Sequence, residues 1–149
     1  MSLRGFTKDG SKRAVLKAPA AGRSPYTNPI LLVDQDVELG RGLRLQLTRY
    51  GFCADLAITV ASARTCVGYR YYHAMVVIAD PSNPQTLSEL RELRDAAPQT
   101  WMVVLASKRA DTATQAVLDF GGDACLQKPF RFSELLFRLA SLAHQERTG

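Results

Sequence analysis

Gly121-Gly122-Asp123-Ala124-Cys125-Leu126-Gln127-Lys128-Pro129-Phe130 follows three short apolar runs, each of which ends on polar or small residues. Upstream, Ile30–Val33 ends at Asp34, Met75–Ala79 at Asp80, and Met102–Leu105 at Ala106-Ser107. Such runs, continuous and rich in branched residues, suit strands buried on both faces. In a parallel sheet the ligand crevice lies outside the carboxyl ends of the strands. Two carboxylates, Asp34 and Asp80, and the Lys128 ammonium are then expected at one edge. That set suits a divalent cation and a phosphoryl group.

The segments between the runs carry helical period. Asp36 can cap a helix whose Leu39, Leu43 and Leu47 recur every four residues, ending near Tyr50-Gly51. Gly40 and Gly42 weaken that helix by about 1 kcal/mol each relative to alanine, so packing must compensate. Phe52–Ile58 reads as a second strand and Ala61–Tyr69 as the following helix. Leu87, Leu90 and Leu93 mark a helix closed by Pro98. Trp101–Leu105 is the next strand, Ala113–Phe120 a helix stopped at Gly121-Gly122, and Ala124–Gln127 a brief fifth strand. Ser133 is the expected cap of a last helix with Leu135, Leu136, Leu139 and Leu142. Five strands alternating with five helices predict one parallel sheet wrapped on both faces by right-handed crossovers.

The 149 residues suffice for one domain with a core. The net charge of +5 is local: Arg4, Lys8, Lys12, Arg13, Lys17 and Arg23 face only Asp9, so residues 1–28 carry all of it. From Pro29 onward, 13 basic and 13 acidic residues balance. The expected organisation is a disordered basic tail over 1–28, a domain over 29–143, and a tail or linker start over 144–149. No stretch is long enough to span a bilayer and no secretory leader is evident. Cys53, Cys66 and Cys125 lack C-x-x-C spacing and read as reduced thiols of a cytoplasmic protein.

From about Pro29 to Ala143 the chain resembles a bacterial response-regulator receiver domain, the phospho-acceptor module of two-component signalling. The resemblance rests on Ile30-Leu31-Leu32-Val33-Asp34-Gln35-Asp36, on Val76-Val77-Ile78-Ala79-Asp80 with Pro84 beyond, on the run through Lys128-Pro129-Phe130, and on Phe132-Ser133-Glu134-Leu135-Leu136. It implies an α/β, flavodoxin-like (βα)5 sheet in the order 2-1-3-4-5 and a cis peptide before Pro129. It also implies Asp80 as phospho-acceptor, Asp34 and Asp80 as ligands of Mg2+ with Gln35 and Asp36 as further candidates, and Lys128 as the phosphoryl contact. The implied partners are a sensor histidine kinase or phosphotransfer protein, and a second copy of the chain. The output or dimer face would comprise Phe130, Phe132, Leu136 and Phe137.

Several positions depart from the family pattern. Gln35 stands where a second carboxylate belongs, which weakens binding of a hard cation. The hydroxyl position falls on Ala106, with Ser107 next door expected to face the other way, and the aromatic switch position falls on Cys125. Two versions follow: slow phosphorylation with an unusual readout, or a phosphorylation-independent pseudo-receiver working by protein contacts. A third reading is the receiver part of a DNA-binding regulator, with DNA contacted only through sequence outside this chain. Val33-Asp34-Gln35-Asp36 also fits the nucleophile motif of haloacid-dehalogenase-like phosphatases, but Glu38 stands where that family has threonine. Asp119-Phe120-Gly121, Gly40-Arg41-Gly42 and the separated His73 and His144 lack the context that kinase, dinucleotide or metal motifs require.

Overall fold

A computed structural model describes residues 28–148, so the basic tail predicted from the sequence lies, but for Asn28, outside the described residues. The chain alternates strictly: β1 (Pro29–Val33), α1 (Val37–Arg49), β2 (Cys53–Ala57), α2 (Val60–Tyr69), β3 (Ala74–Ala79), α3 (Pro84–Ala96), β4 (Trp101–Ala106), α4 (Ala113–Asp119), β5 (Ala124–Gln127) and α5 (Phe132–Leu142). The five strands form one sheet in the order β2-β1-β3-β4-β5, with every pair parallel. This is the flavodoxin-like order the sequence implies.

The strand side chains feed two apolar layers, because successive residues point to opposite faces. Leu31, Val33, Met75, Val77, Met102 and Val104 pack against Ala63 of α2, Leu90 and Leu93 of α3 and Val117 of α4. Ile30, Leu32, Val76, Val103 and Leu105 pack against Leu43 and Leu47 of α1 and Leu135 and Leu139 of α5. Leu39, the third member of the expected α1 stripe, is exposed.

Helix ends are set by local chemistry. Asp36 caps α1, its Oδ1 accepting from the N–H groups of Glu38 (3.1 Å) and Leu39 (3.3 Å). Gly40 is where α1 approaches β2: a Cβ there would sit 2.8 Å from Leu56 Cδ1. Nothing in the structure explains Gly42. The last helix begins one residue before Ser133, so Ser133 is not its cap. Arg131 holds the cap position, and Glu134 reaches back to accept from the Arg131 N–H at 2.8 Å. Helix α3 begins at Pro84 behind Asn83, whose side chain accepts from the Gln85 N–H at 2.9 Å.

The amino-terminal edge of the sheet is fastened by a buried arginine. Arg94 of α3 donates to the carbonyls of Gly121 (2.8 Å), Ala97 (3.0 Å) and Thr100 (2.8 Å) and to Asp123 Oδ2 (2.7 Å). Asp123 also accepts from the Met102 N–H at 2.9 Å and from Arg147 Nε at 2.9 Å. The chain beyond α5 is tied down at the same edge: His73 Nε2 donates to the Leu142 carbonyl (2.7 Å), Asn28 to that of Ala143 (2.8 Å), and Trp101 Nε1 to that of Gln145 (3.0 Å).

Candidate functional site

The strand order puts the carboxyl ends of β1, β3, β4 and β5 side by side. Asp34 directly follows β1, and its N–H extends the ladder to β2 by donating to the Ala57 carbonyl at 3.0 Å. The residue is only 4% exposed. Its Oδ1 accepts from the Asp36 N–H at 3.0 Å, whereas Oδ2 is buried with no hydrogen-bond partner among the described residues. Burial pushes the carboxyl above its ordinary range, and the Asp36 N–H acts against it. A buried, unpartnered carboxylate oxygen is unfavourable unless a cation or proton meets it.

Asp80 is the first residue after β3. Its Oδ1 accepts from both the N–H (3.1 Å) and the Oγ–H (2.7 Å) of Ser82. Its Oδ2 lies 3.6 Å from the ammonium of Lys108. The Ser82 hydroxyl and N–H, and behind them Lys108, hold the Asp80 carboxyl below its usual range. It is therefore ionised at neutral pH, as a nucleophilic carboxylate has to be.

The remaining predicted positions fall as follows. Gln35 and Asp36 are both exposed, and the Asp36 side chain is engaged by α1. Ala106 is fully buried. Ser107 is half-buried, and its N–H donates to the Ala79 carbonyl at 2.8 Å. Cys125 packs on the α2–α4 layer, where burial pushes its thiol up against an opposing contact from Thr114. Lys128 is exposed, its following peptide to Pro129 is cis, and among the described residues its ammonium forms no ion pair. Phe130, Phe132 and Leu136 are partly buried against the α1–α5 layer, while Phe137 is 75% exposed.

Three participants escaped the sequence reading: Ser82, Lys108 and Gln127. Ser82 could have been found, since aspartate two residues before serine favours a local turn closed by the carboxylate. Gln127 Oε1 accepts from the Ala110 N–H (3.0 Å) and its Nε2 donates to Thr114 Oγ1 (3.2 Å), which fixes the path of the β4–α4 loop. Lys108 lies on the same loop. Among the described residues no three His, Cys, Asp or Glu side chains form a metal-holding group, so Asp34 and Asp80 are the acidic donors on offer at this edge.

No family model matches the chain. Among curated proteins it is 30% identical over 113 residues to the response regulator MprA of a Mycobacterium species, covering 76% of this chain and 49% of that protein. It is 28% identical over 113 residues to the transcriptional regulatory protein PmrA of Pectobacterium parmentieri, covering 76% and 51%. Similar solved structures include a two-component response regulator from Clostridium difficile (TM-score 0.71, 20% identity, 80% of this chain and 98% of that one). Another is a response regulator from Burkholderia pseudomallei with a phosphorylated aspartic acid, calcium ion and citrate (TM-score 0.67, 22% identity, 78% and 68%). Strand order, fold and sequence similarity together place this domain among response-regulator receiver (CheY-like) domains. The chain spans about half the length of the curated relatives it matches. Among the described residues no helix is long and apolar enough to cross a membrane.

Proposed function

We propose that this receiver domain accepts a phosphoryl group on Asp80, and that it does so with weak cation assistance and without the usual hydroxyl-to-ring switch. The observation that carries the reading is the ionised Asp80 carboxylate at the same sheet edge as the unpartnered, buried Oδ2 of Asp34. In the transfer, an Asp80 oxygen attacks phosphorus. The donor's bond to phosphorus breaks, and its electron pair leaves with the donor. Such a transition state needs in-line positioning and charge neutralisation more than proton transfer. A hard divalent cation such as Mg2+ supplies that neutralisation when bound.

The residues present fit a cation in part. Asp34 offers a buried oxygen with nothing else to meet, and Asp80 a second carboxylate. Gln35 contributes a neutral amide, and Asp36 is held by the amide groups of α1. Fewer charged oxygens mean weaker binding. The donor would be a sensor histidine kinase or a phosphotransfer protein. Because the relatives are about twice as long, DNA binding would belong to sequence beyond this domain. Phe137, exposed on α5, is the residue best placed for pairing with a second copy.

Acetyl phosphate with Mg2+, followed by intact mass, tests the reading. One added phosphate is expected on the wild-type chain and none on Asp80→Asn. A folded wild type that gains no mass at high Mg2+ would favour the alternative, a domain acting by contact alone. Combined Gln35→Asp and Ala106→Thr would then restore labelling if those two positions are the defects.

A further inference from the structure

We infer that residues 143–147 form a strap coupled to the phosphoryl site through β5, and that a phosphoryl group on Asp80 loosens it. This rests on Asp80 as acceptor and Lys128 as its phosphoryl contact. Side chains from separate parts of the chain seat the strap. Asn28 donates to the Ala143 carbonyl, Trp101 to that of Gln145, and Arg147 to both Asp123 and the Pro98 carbonyl, the last at 2.6 Å. The Gln145 N–H donates to the Leu142 carbonyl at 3.0 Å, and His73 holds that same carbonyl from the sheet side.

Asp123, which takes Arg147, immediately precedes β5, and Lys128 immediately follows it. Strap and phosphoryl contact therefore grip opposite ends of one four-residue strand, at roughly 3.3 Å per residue. That strand can shift as a unit: it pairs with β4 alone, and none of its four residues is fully buried. Phosphorylation replaces one negative charge at Asp80 with about two, which draws the Lys128 ammonium and the carboxyl end of β5 with it. At the other end the weaker grip on Asp123 gives way. Its Oδ2 is held by the Met102 N–H (2.9 Å) and by Arg94 (2.7 Å), whose side chain is only 9% exposed. Its Oδ1 is held by Arg147 from the rim, where that side chain is 22% exposed. The route runs along the backbone of β5 and needs neither a hydroxyl at position 106 nor a ring at 125.

The test is amide hydrogen exchange of the whole 149-residue chain, resolved by peptide, before and after labelling with acetyl phosphate and Mg2+. Unlabelled, residues 143–147 should exchange more slowly than a free peptide; labelled, roughly fivefold faster than before, the low end of an ordinary coupling between sites. Helix α2, on the other face of the sheet, should change less than about twofold. In Arg147→Ala the strap should exchange fast from the start, with no further gain on labelling. Trp101→Phe, which removes only an indole donor, should give part of that effect if Arg147→Ala disturbs folding by circular dichroism. Asp80→Asn treated with acetyl phosphate should show no acceleration. Free-peptide exchange of 143–147 in the unlabelled wild type would overturn the strap. An unchanged strap in labelled wild type would overturn the coupling and leave Asp80 as acceptor. A wild type that takes no label would remove the acceptor reading and the coupling with it.

Discussion

Replacing Arg94 with methionine should unfold this domain more effectively than any change at the candidate site. The guanidinium is 9% exposed and serves three carbonyls within 3.0 Å, those of Gly121, Ala97 and Thr100, as well as Asp123 at 2.7 Å. Methionine fills comparable volume but donates nothing, so the loss is that of the donors. Removing one partner of a buried pair costs about 3–5 kcal/mol when the other charge is stranded. Asp123 is not fully stranded, because Arg147 and the Met102 N–H still reach it. The carbonyls fare worse, at roughly 1–3 kcal/mol for each group left buried and unpaired. Some will find water once the edge loosens, so about 3 kcal/mol net is expected. With a urea slope of about 1–3 kcal/mol/M for a domain of this size, the midpoint should fall by roughly 1–3 M. Equilibrium urea unfolding followed by Trp101 fluorescence and circular dichroism measures it. A loss below about 1 kcal/mol would refute the reasoning, as would strict additivity with Asp123→Asn, since contacting residues should couple by 0.5 kcal/mol or more.

Two further outcomes follow from the same edge and its neighbour. Gly121→Ala should lower the melting temperature by several degrees, because φ is +109° there and the new Cβ would lie 2.8 Å from Arg94 Cβ, together worth roughly 1–3 kcal/mol. Tyr72 is buried and donates to Asp55 Oδ2 at 2.6 Å; burial first, then Asp55, raises its pKa well above 10, and burial likewise raises the Cys66 thiol. Both groups bind their protons more tightly folded than unfolded, so stability is highest below pH 9 and declines as pH rises through the unfolded values of 9.0 and 10.0. Tyr72→Phe should flatten that decline while costing about 1 kcal/mol at pH 7; an unchanged alkaline slope in thermal melts would contradict the assignment.

The fold was legible because period does most of the work. Ala124–Gln127 emerges with the bounds read from its sequence, and β1, β3 and β4 differ from expectation by a residue at most. The errors lie where a cap or a path depends on contacts. The start of α3 was missed because the leucine stripe reports the buried face, whereas Asn83 and Pro84 set the boundary. Ser133 lost its expected role because Glu134 can reach the Arg131 N–H. At the site, the strand pattern places Asp34 and Asp80 at one sheet edge, but the approach of Lys108 to Asp80 depends on the loop after β4, which no strand period reports. Nothing in a helical stripe singles out Arg94, because a carbonyl-lined slot leaves no mark on the sequence of the helix that fills it. The four apolar residues at the start of α5 illustrate the converse: Phe130, Phe132 and Leu136 are absorbed by packing, and Phe137 alone is left strongly exposed.

The anchoring of residues 142–147 through His73, Trp101, Asp123 and Pro98 fixes where the polypeptide departs from the globule. That exit lies at the start of the strands, whereas Asp80 sits past their finish, a separation of some six β4 residues at roughly 3.3 Å apiece. Chemistry at one pole can influence the residues anchored at the other only by tilting a whole helix or strand. A rigid lever, rather than a flexible tether, is the kind of transmission this architecture permits.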